Sequence, residues 1–427
     1  MFLIYDFAFL IFGILSLPFY ILRGRLPRGL SKRWGRISPE VLAALKPGPV
    51  VWVHAVSVGE VMAARTLIEA FKSERPKTRV LLSTVTSTGQ ALARKAIPSA
   101  DALIYFPLDF SWVVRRMIDQ VQPSLFVFLE TELWPNFLGE LARRKVPTVL
   151  VNGRISRRSY PRYRLIAGFF RLTLRRITLF LMQSQEDAQR IISLGAPRPR
   201  VRVTGNMKFD ALAREPEPGD VGGLGRRILK HHPEERLLVC GSTHGGEEAK
   251  ILEAFQALRE AFPKFRLLLA PRHLHRISEV QRLVARKGFQ SVLFSQTKEV
   301  DGGGEVILLD TLGDLRFLYR YASFVFVGGS LVPHGGHNCI EPARFGKPIV
   351  FGPHMQNFQD IAELFVMKGA ASQVRTLDEL IESVQRWIFS PQEADEIGAR
   401  ARRLVEENEG ATLRNVRMIT EILDRIT

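Results

Sequence analysis

The chain alternates between short apolar runs and polar stretches punctuated by glycine. Runs at 49–56, 80–84, 125–129, 148–151 and 179–183 are rich in Val, Leu and Phe, and each is followed by turn residues and then a helical stretch. Apolar runs without polar alternation predict parallel strands buried on both faces. The polar segment EPEPGDVGGLG at 215–225 interrupts the pattern and predicts a linker. The pattern then restarts, with runs at 236–240, 265–270, 291–294, 306–309, 324–327 and 348–351. Two successive βα arrays predict an α/β protein of two Rossmann-like domains facing each other across a cleft, with ligands at the carboxyl ends of the strands.

The first stretch departs from this alternation. Residues 2–22 are almost wholly apolar, and Asp6 is their only charge. As a helix they would span roughly 30 Å, one hydrocarbon core. Arg23, Arg25, Arg28, Lys32, Arg33 and Arg36 follow with no acid among them, which puts that side in the cytoplasm. A cleaved signal peptide would carry its basic residues before the apolar run. The expected organisation is a transmembrane anchor at 1–22, an N-terminal domain at 23–210, a linker at 211–225 and a C-terminal domain at 226–427.

Composition narrows the class. With 46% hydrophobic and 24% charged residues over 427 positions, the chain can bury sizeable cores and is not a disordered polymer. Its net charge of +17 calls for an anionic partner: nucleic acid, a phosphorylated substrate or an anionic membrane surface. Two distant cysteines, Cys240 and Cys339, make neither a disulfide framework nor a zinc knuckle.

Several stretches could carry chemistry. HAVSVGEV at 54–61 closes the first strand, and Ser57 and Glu60 have capping-box spacing. A carboxylate at a helix start is also kept ionised by the dipole, as a general base requires; both readings stand. STVTSTGQ at 83–90 offers hydroxyls and free amides to an anion, or simply caps its helix. Glu130 and Glu132 flank Thr131 in FLETELWPN; without Asp-x-Asp or a nearby His they do not make a metal site. One of the pair is expected at the cleft and the other in solvent. The segment from Asn152 to Arg176 holds eight arginines and no acid, interleaved with aromatics. Following an anchor, that composition reads as a surface for anionic lipid, with a solvated basic face as the plain alternative. Lys208, in TGNMKFD, is expected at the hinge.

The second array supplies GSTHGGEE at 241–248, a glycine-rich loop able to cradle phosphate, though neither GxGxxG nor a Walker sequence. APRH puts Arg272 at a strand end. In the segment 327–358, glycines admit a ligand to the backbone, Glu341 is placed to accept from ribose hydroxyls, and His334 and His337 are expected to be neutral hydrogen-bonding groups without metal.

HAVSVGEV, ETELWPN, NGRIS, TGNMKFD, PRH and GGHNCIEPA–GKPIVFGPH, in this order, resemble the 3-deoxy-D-manno-octulosonic acid (Kdo) transferase family of GT-B glycosyltransferases. The resemblance implies an inverting transfer of Kdo from CMP-Kdo to a lipid A precursor at the cytoplasmic face of the inner membrane, without cofactor or metal. It implies Glu60 as base, Glu130 and Lys208 as transition-state stabilisers, and Arg154, Arg157 and Arg158 toward the acceptor and membrane. Donor contacts would come from Pro271, Arg272, Leu312, Gly313, Asp314, Asn338, Cys339, Ile340 and Glu341. Asp314 stands where many members carry glutamate and Cys339 where many carry proline. Two rivals remain: another membrane-associated GT-B enzyme using a nucleotide sugar, and a basic nucleic-acid-binding protein. No nucleic-acid module is visible, and the basic residues cluster beside the anchor instead.

Overall fold

The computed structural model describes residues 5–7, 9–11, 30–156, 159–212, 235–296 and 305–426. The chain forms two compact units, Met1–Ala211 with Asn408–Thr427, and Leu212–Glu407.

The first unit is built on a seven-stranded sheet: β1 (Val50–His54), β2 (Arg79–Thr84), β3 (Ala102–Tyr105), β4 (Leu125–Leu129), β5 (Thr148–Gly153), β6 (Leu179–Met182) and β7 (Val201–Val203). The order is β3-β2-β1-β4-β5-β6-β7, and every pairing is parallel. β1 (VVWVH) and β4 (LFVFL) are buried at every position. Their side chains alternate between two cores. Trp52, Phe126 and Phe128 point to one face, where Trp52 meets Phe137 edge-on at 5.0 Å. Val51, Val53, Leu125 and Val127 point to the other. The order reverses between β1 and β4, which opens the crevice where doubly wound sheets bind ligands.

The second unit repeats the plan with β8 (Arg236–Thr243), β9 (Phe265–Pro271), β10 (Ser291–Leu293), β11 (Val306–Leu308), β12 (Phe324–Val327), β13 (Ile349–Phe351) and β14 (Ser372–Gln373). The order is β10-β11-β9-β8-β12-β13-β14, again wholly parallel, and it reverses between β8 and β12. The eleven apolar runs all became strands. β3, β7 and β14 were not anticipated, being two to four residues long and lying in the outer half of their sheets.

One domain bound needs correction, and two further expectations fall largely outside the described residues. The C-terminal domain does not run to 427, because the helix Ala411–Asp424 lays Ala411, Val416, Ile419 and Leu423 into the second core of the first unit. Asp210 fixes its start by accepting from Gly410 N at 2.8 Å and Thr412 N at 2.6 Å. From residue 213 onward the expected linker lies outside the described residues. So does most of the expected anchor, and among the described residues no helix is long and apolar enough to cross a membrane. Its described turns, 5–7 and 9–11, are helical and pack on the first unit. Asp6 accepts from Ser111 N at 2.9 Å and Asn136 Nδ2 at 2.6 Å, and Phe9 meets Phe110 edge-on at 5.1 Å.

The glycine-rich loop after β8 is fixed by a carboxylate of its own. Glu247, the first residue of the helix Glu247–Ala261, is fully buried and accepts four backbone N–H groups. These are His244 N at 3.0 Å, Gly329 N at 2.6 Å, Ser330 N at 2.9 Å and Leu331 N at 2.9 Å. The chain's own carboxylate occupies those amides and ties the loop after β12 to the loop after β8.

Two outcomes follow. Asp210→Ala should speed hydrogen exchange in Ala411–Asp424 and cost about 1–2 kcal/mol; unchanged exchange in that helix would remove Asp210 from the framework. Glu247→Ala leaves four backbone donors unpaired, three of them buried, and should cost about 3–5 kcal/mol. A urea midpoint equal to that of the parent chain would contradict it.

Candidate active site

Each unit gathers its functional side chains at its own switch point. In the first, β1 ends at His54 and the helix Val58–Glu74 begins four residues later, with Glu60 in its first turn. The capping box forms in full. Glu60 N donates to Ser57 Oγ at 3.3 Å, and the Glu60 carboxylate accepts from Ser57 N at 3.2 Å and Val56 N at 2.8 Å. Yet Glu60 is only 5% exposed. Burial, and then the charges of Glu130 and Glu132, push its pKa up to about 7 against the opposing pull of the two amides. The residue is therefore a cap and also a group that changes charge near neutrality, the range suited to a general base.

Glu130 follows β4 with φ +55, a left-handed conformation that costs a non-glycine residue about 1–3 kcal/mol. Its carboxylate pairs with Lys208 Nζ at 2.9 Å. The lysine stem lies over Gly59, where an added Cβ would stand 4.0 Å from Lys208 Cε. Glu60, Glu130 and Lys208, expected to act together from positions far apart in sequence, are thus brought together. Glu132 is not the solvated turn residue expected: it is half-buried, and burial together with Glu130 raises its pKa.

Asn152 was not singled out beyond its place in NGRIS, and it organises this cluster. It too has positive φ, at +55. Its Oδ1 accepts from Met207 N at 2.9 Å, which sets the turn that carries Lys208, while its carbonyl accepts from Gln183 Nε2 at 3.0 Å. Its buried Nδ2 has no hydrogen-bond partner among the described residues. An asparagine ending an apolar strand is the signal that could have found it, because asparagine tolerates the left-handed region.

The hydroxyl-rich turn at 83–90 is largely committed to structure. Ser83 Oγ accepts from Trp52 Nε1 at 2.8 Å, Thr84 Oγ1 donates to Gln90 Oε1, and Thr86 caps its helix by accepting from Gly89 N at 3.0 Å. In the arginine-rich stretch, Arg154 has its carbonyl bonded by Thr131 Oγ1, and Arg157 and Arg158 lie outside the described residues. The helices Tyr160–Leu165 and Ala167–Leu174 follow. Leu165 is 86% exposed, Ile166 and Leu172 are also exposed, and Arg162, Arg164 and Arg171 are exposed among them. Arg176 has a structural task, donating to Pro135 O at 2.9 Å.

In the second unit Pro271 ends β9, and Arg272 N donates to Thr243 O at 2.9 Å, leaving an exposed guanidinium. Asn338 spans two neighbours: its Oδ1 accepts from Ile340 N at 3.0 Å and its Nδ2 donates to Glu341 Oε1 at 3.1 Å. Burial raises the pKa of Glu341, while Asn338 and the charges of Arg316, Arg272 and Arg344 hold it down. Cys339 and Ile340 are buried, and Cys339 presents no side chain at the surface. Thr311, Leu312, Gly313 and Asp314 make a turn in which Gly313 has φ +91, Leu312 is 82% exposed and Asp314 accepts from Thr311 Oγ1 at 2.5 Å. Among the described residues, no group of His, Cys, Asp and Glu could hold a metal ion.

Residues 28–211 match the family model described as 3-Deoxy-D-manno-octulosonic-acid transferase (kdotransferase). The chain is 33% identical to the 3-deoxy-D-manno-octulosonic acid transferase of Haemophilus influenzae over 90% of its own length and 89% of that protein. It is 31% identical to the enzyme of the same name from Bordetella pertussis, over 90% and 89%. Among solved structures, the UDP-GlcNAc 2-epimerase of Neisseria meningitidis superposes with a TM-score of 0.53 at 15% identity, covering 88% of this chain and all of that one. The glycosyltransferase of kitacinnamycin gives 0.50 at 17%, covering 88% and 99%. These two likenesses are of fold alone, the GT-B-like arrangement of paired parallel sheets. With a relative a third identical along nine-tenths of both chains, this protein belongs to the 3-deoxy-D-manno-octulosonic acid transferase family and is a glycosyltransferase.

Proposed function

We propose that this Kdo transferase takes Kdo from CMP-Kdo and attaches it, with inversion, to a glucosamine hydroxyl of the tetraacyldisaccharide 4′-phosphate lipid A precursor. The observation that carries the reading is Glu60: a buried carboxyl titrating near neutrality, beside the Glu130–Lys208 pair. Glu60 takes the hydroxyl proton as the acceptor oxygen bonds the anomeric carbon. The bond from that carbon to the phosphate oxygen breaks, and its electron pair leaves on cytidylate. Lys208, held by Glu130, supplies fixed positive charge where negative charge grows, which favours the transition state over the ground state. Arg272 serves the leaving phosphate in the same way, and Glu341, oriented by Asn338, reads the ribose hydroxyls.

The work is assigned to the cytoplasmic face of the inner membrane. The apolar run at 2–22 and the acid-free basic stretch after it support an anchor there. Exposed Leu165, Ile166 and Leu172 among arginines give the first unit an apolar and cationic surface suited to a phosphorylated lipid. Nucleic acid is not a partner in this reading.

The base must be ionised to accept a proton. Transfer should therefore rise about tenfold per pH unit up to about pH 7 and level off above it. Glu60→Ala should abolish transfer, read as product mass, while CMP affinity by calorimetry stays near that of the parent. A flat rate from about pH 6 to about pH 8, or turnover in the variant, would leave Glu60 a cap and nothing more. Glu341→Gln should raise the dissociation constant of CMP about tenfold, the equivalent of one charge-assisted hydrogen bond. The 2′-deoxy nucleotide should lose much less on the same substitution. Equal losses for the two nucleotides would make Glu341 a structural residue.

A further inference from the structure

Four imidazoles on three loops converge in the second unit. His244 follows β8, His273 follows β9, and His334 and His337 lie in the loop after β12. His244 Nε2 lies 2.8 Å from His337 Nε2. The His244 ring also stacks on His334 at 4.3 Å and meets His273 edge-on at 5.6 Å. Gly329, at φ +67, makes room for the pair: a Cβ there would stand 3.1 Å from His337 Cδ2 and 3.3 Å from His244 Cδ2. His244 and His337 are half-buried, whereas His273 and His334 are exposed.

Two ring nitrogens 2.8 Å apart require one N–H and one lone pair. The pair can accept one further proton on a free Nδ1, turning the contact into a charge-assisted hydrogen bond. A second added proton would set two N–H groups against each other. The charges that lower the two pKa values come from Arg272, Arg276, His273 and His334 on His244, and from Arg272, His273 and His334 on His337, with Arg276 itself paired to Glu248 at 2.8 Å and Glu279 at 2.9 Å. The nearest carboxylate on the loop, Glu247, is spent on four backbone amides. Burial, followed by these neighbours, lowers both pKa values to about 4, so the empty pair is neutral at neutral pH. A proton-accepting pair beside the exposed guanidinium of Arg272 is a site that an anionic ligand would change.

We infer that His244 and His337, flanked by His273 and His334, form a proton-holding phosphate site that is neutral when empty and takes up one proton when a phosphate monoester dianion docks against it. This rests on the reading of the second unit as the holder of cytidylate. Transfer moves one proton from the acceptor hydroxyl to Glu60 and leaves cytidylate with the electron pair of the broken bond. A proton held on the histidine pair offsets that charge, and it is released when the nucleotide departs.

The test compares the full chain with His244→Gln and His337→Gln, which lie on different loops and are first checked for unchanged melting. Dissociation constants for CMP and for cytidine are measured by calorimetry from about pH 5.5 to about pH 8. The variant-to-parent ratio for CMP should be about tenfold or more at the acid end and approach about one at the alkaline end, because only the parent gains a proton on binding. For cytidine, which lacks the phosphate, the ratio should stay near one throughout. A CMP ratio that does not vary with pH in both variants overturns the inference and leaves the proposed function standing. Absence of CMP binding by the folded parent overturns both.

Discussion

The charged groups of this protein are placed by one constraint: strands buried on both faces have no room for an ionised side chain along their length. β1 and β4 have no exposed position, so polar groups that must meet a substrate are pushed past the strand ends. Because every strand runs the same way, those ends lie on one edge of each sheet. The order reverses between β1 and β4, and between β8 and β12, so the loops there diverge to opposite faces. Glu60 and Glu130 sit at the first reversal. His244, Glu247 and the loop carrying His337 sit at the second.

Glu60 shows how a structural and a chemical role can rest on the same bonds. The amides of Val56 and Ser57 fix the carboxylate in one position, so it has little rotamer freedom left to lose when it acts. Those amides alone would favour the ionised form and make a weak base. Burial and two neighbouring carboxylates work in the opposite direction and return basicity to the group. Its usefulness comes from the imbalance between these effects, which depends on Glu130 and Glu132 keeping their charge close by.

Sequence pattern was sufficient where the physics is local. The apolar runs became strands because runs this short, apolar at nearly every position and bounded by turn residues, suit a sheet covered on both faces. The capping box formed because Ser57 and Glu60 carry its chemistry within four residues. What pattern missed depends on contacts distant along the chain. No periodicity indicates that Glu247 will consume amides from the loop after β12, more than eighty residues away. The approach of His244 to His337 is equally invisible, since each alone is an ordinary loop histidine. The edge strands were missed for a different reason: VRV at β7 and the two residues of β14 are too short and too exposed to stand out from a loop.

The return of Ala411–Asp424 to the first unit bears on how the protein is made. Val416, Ile419 and Leu423 belong to the same core as Val51, Val53 and Val127, yet the ribosome adds them only after the whole second unit. Domains made early usually fold early during synthesis. Here the part of that core that Val416, Ile419 and Leu423 close, beside the helix Val58–Glu74, waits uncovered while nearly two hundred further residues are synthesised. During that interval the nascent chain displays an apolar patch beside that helix, the kind of surface that holding chaperones capture.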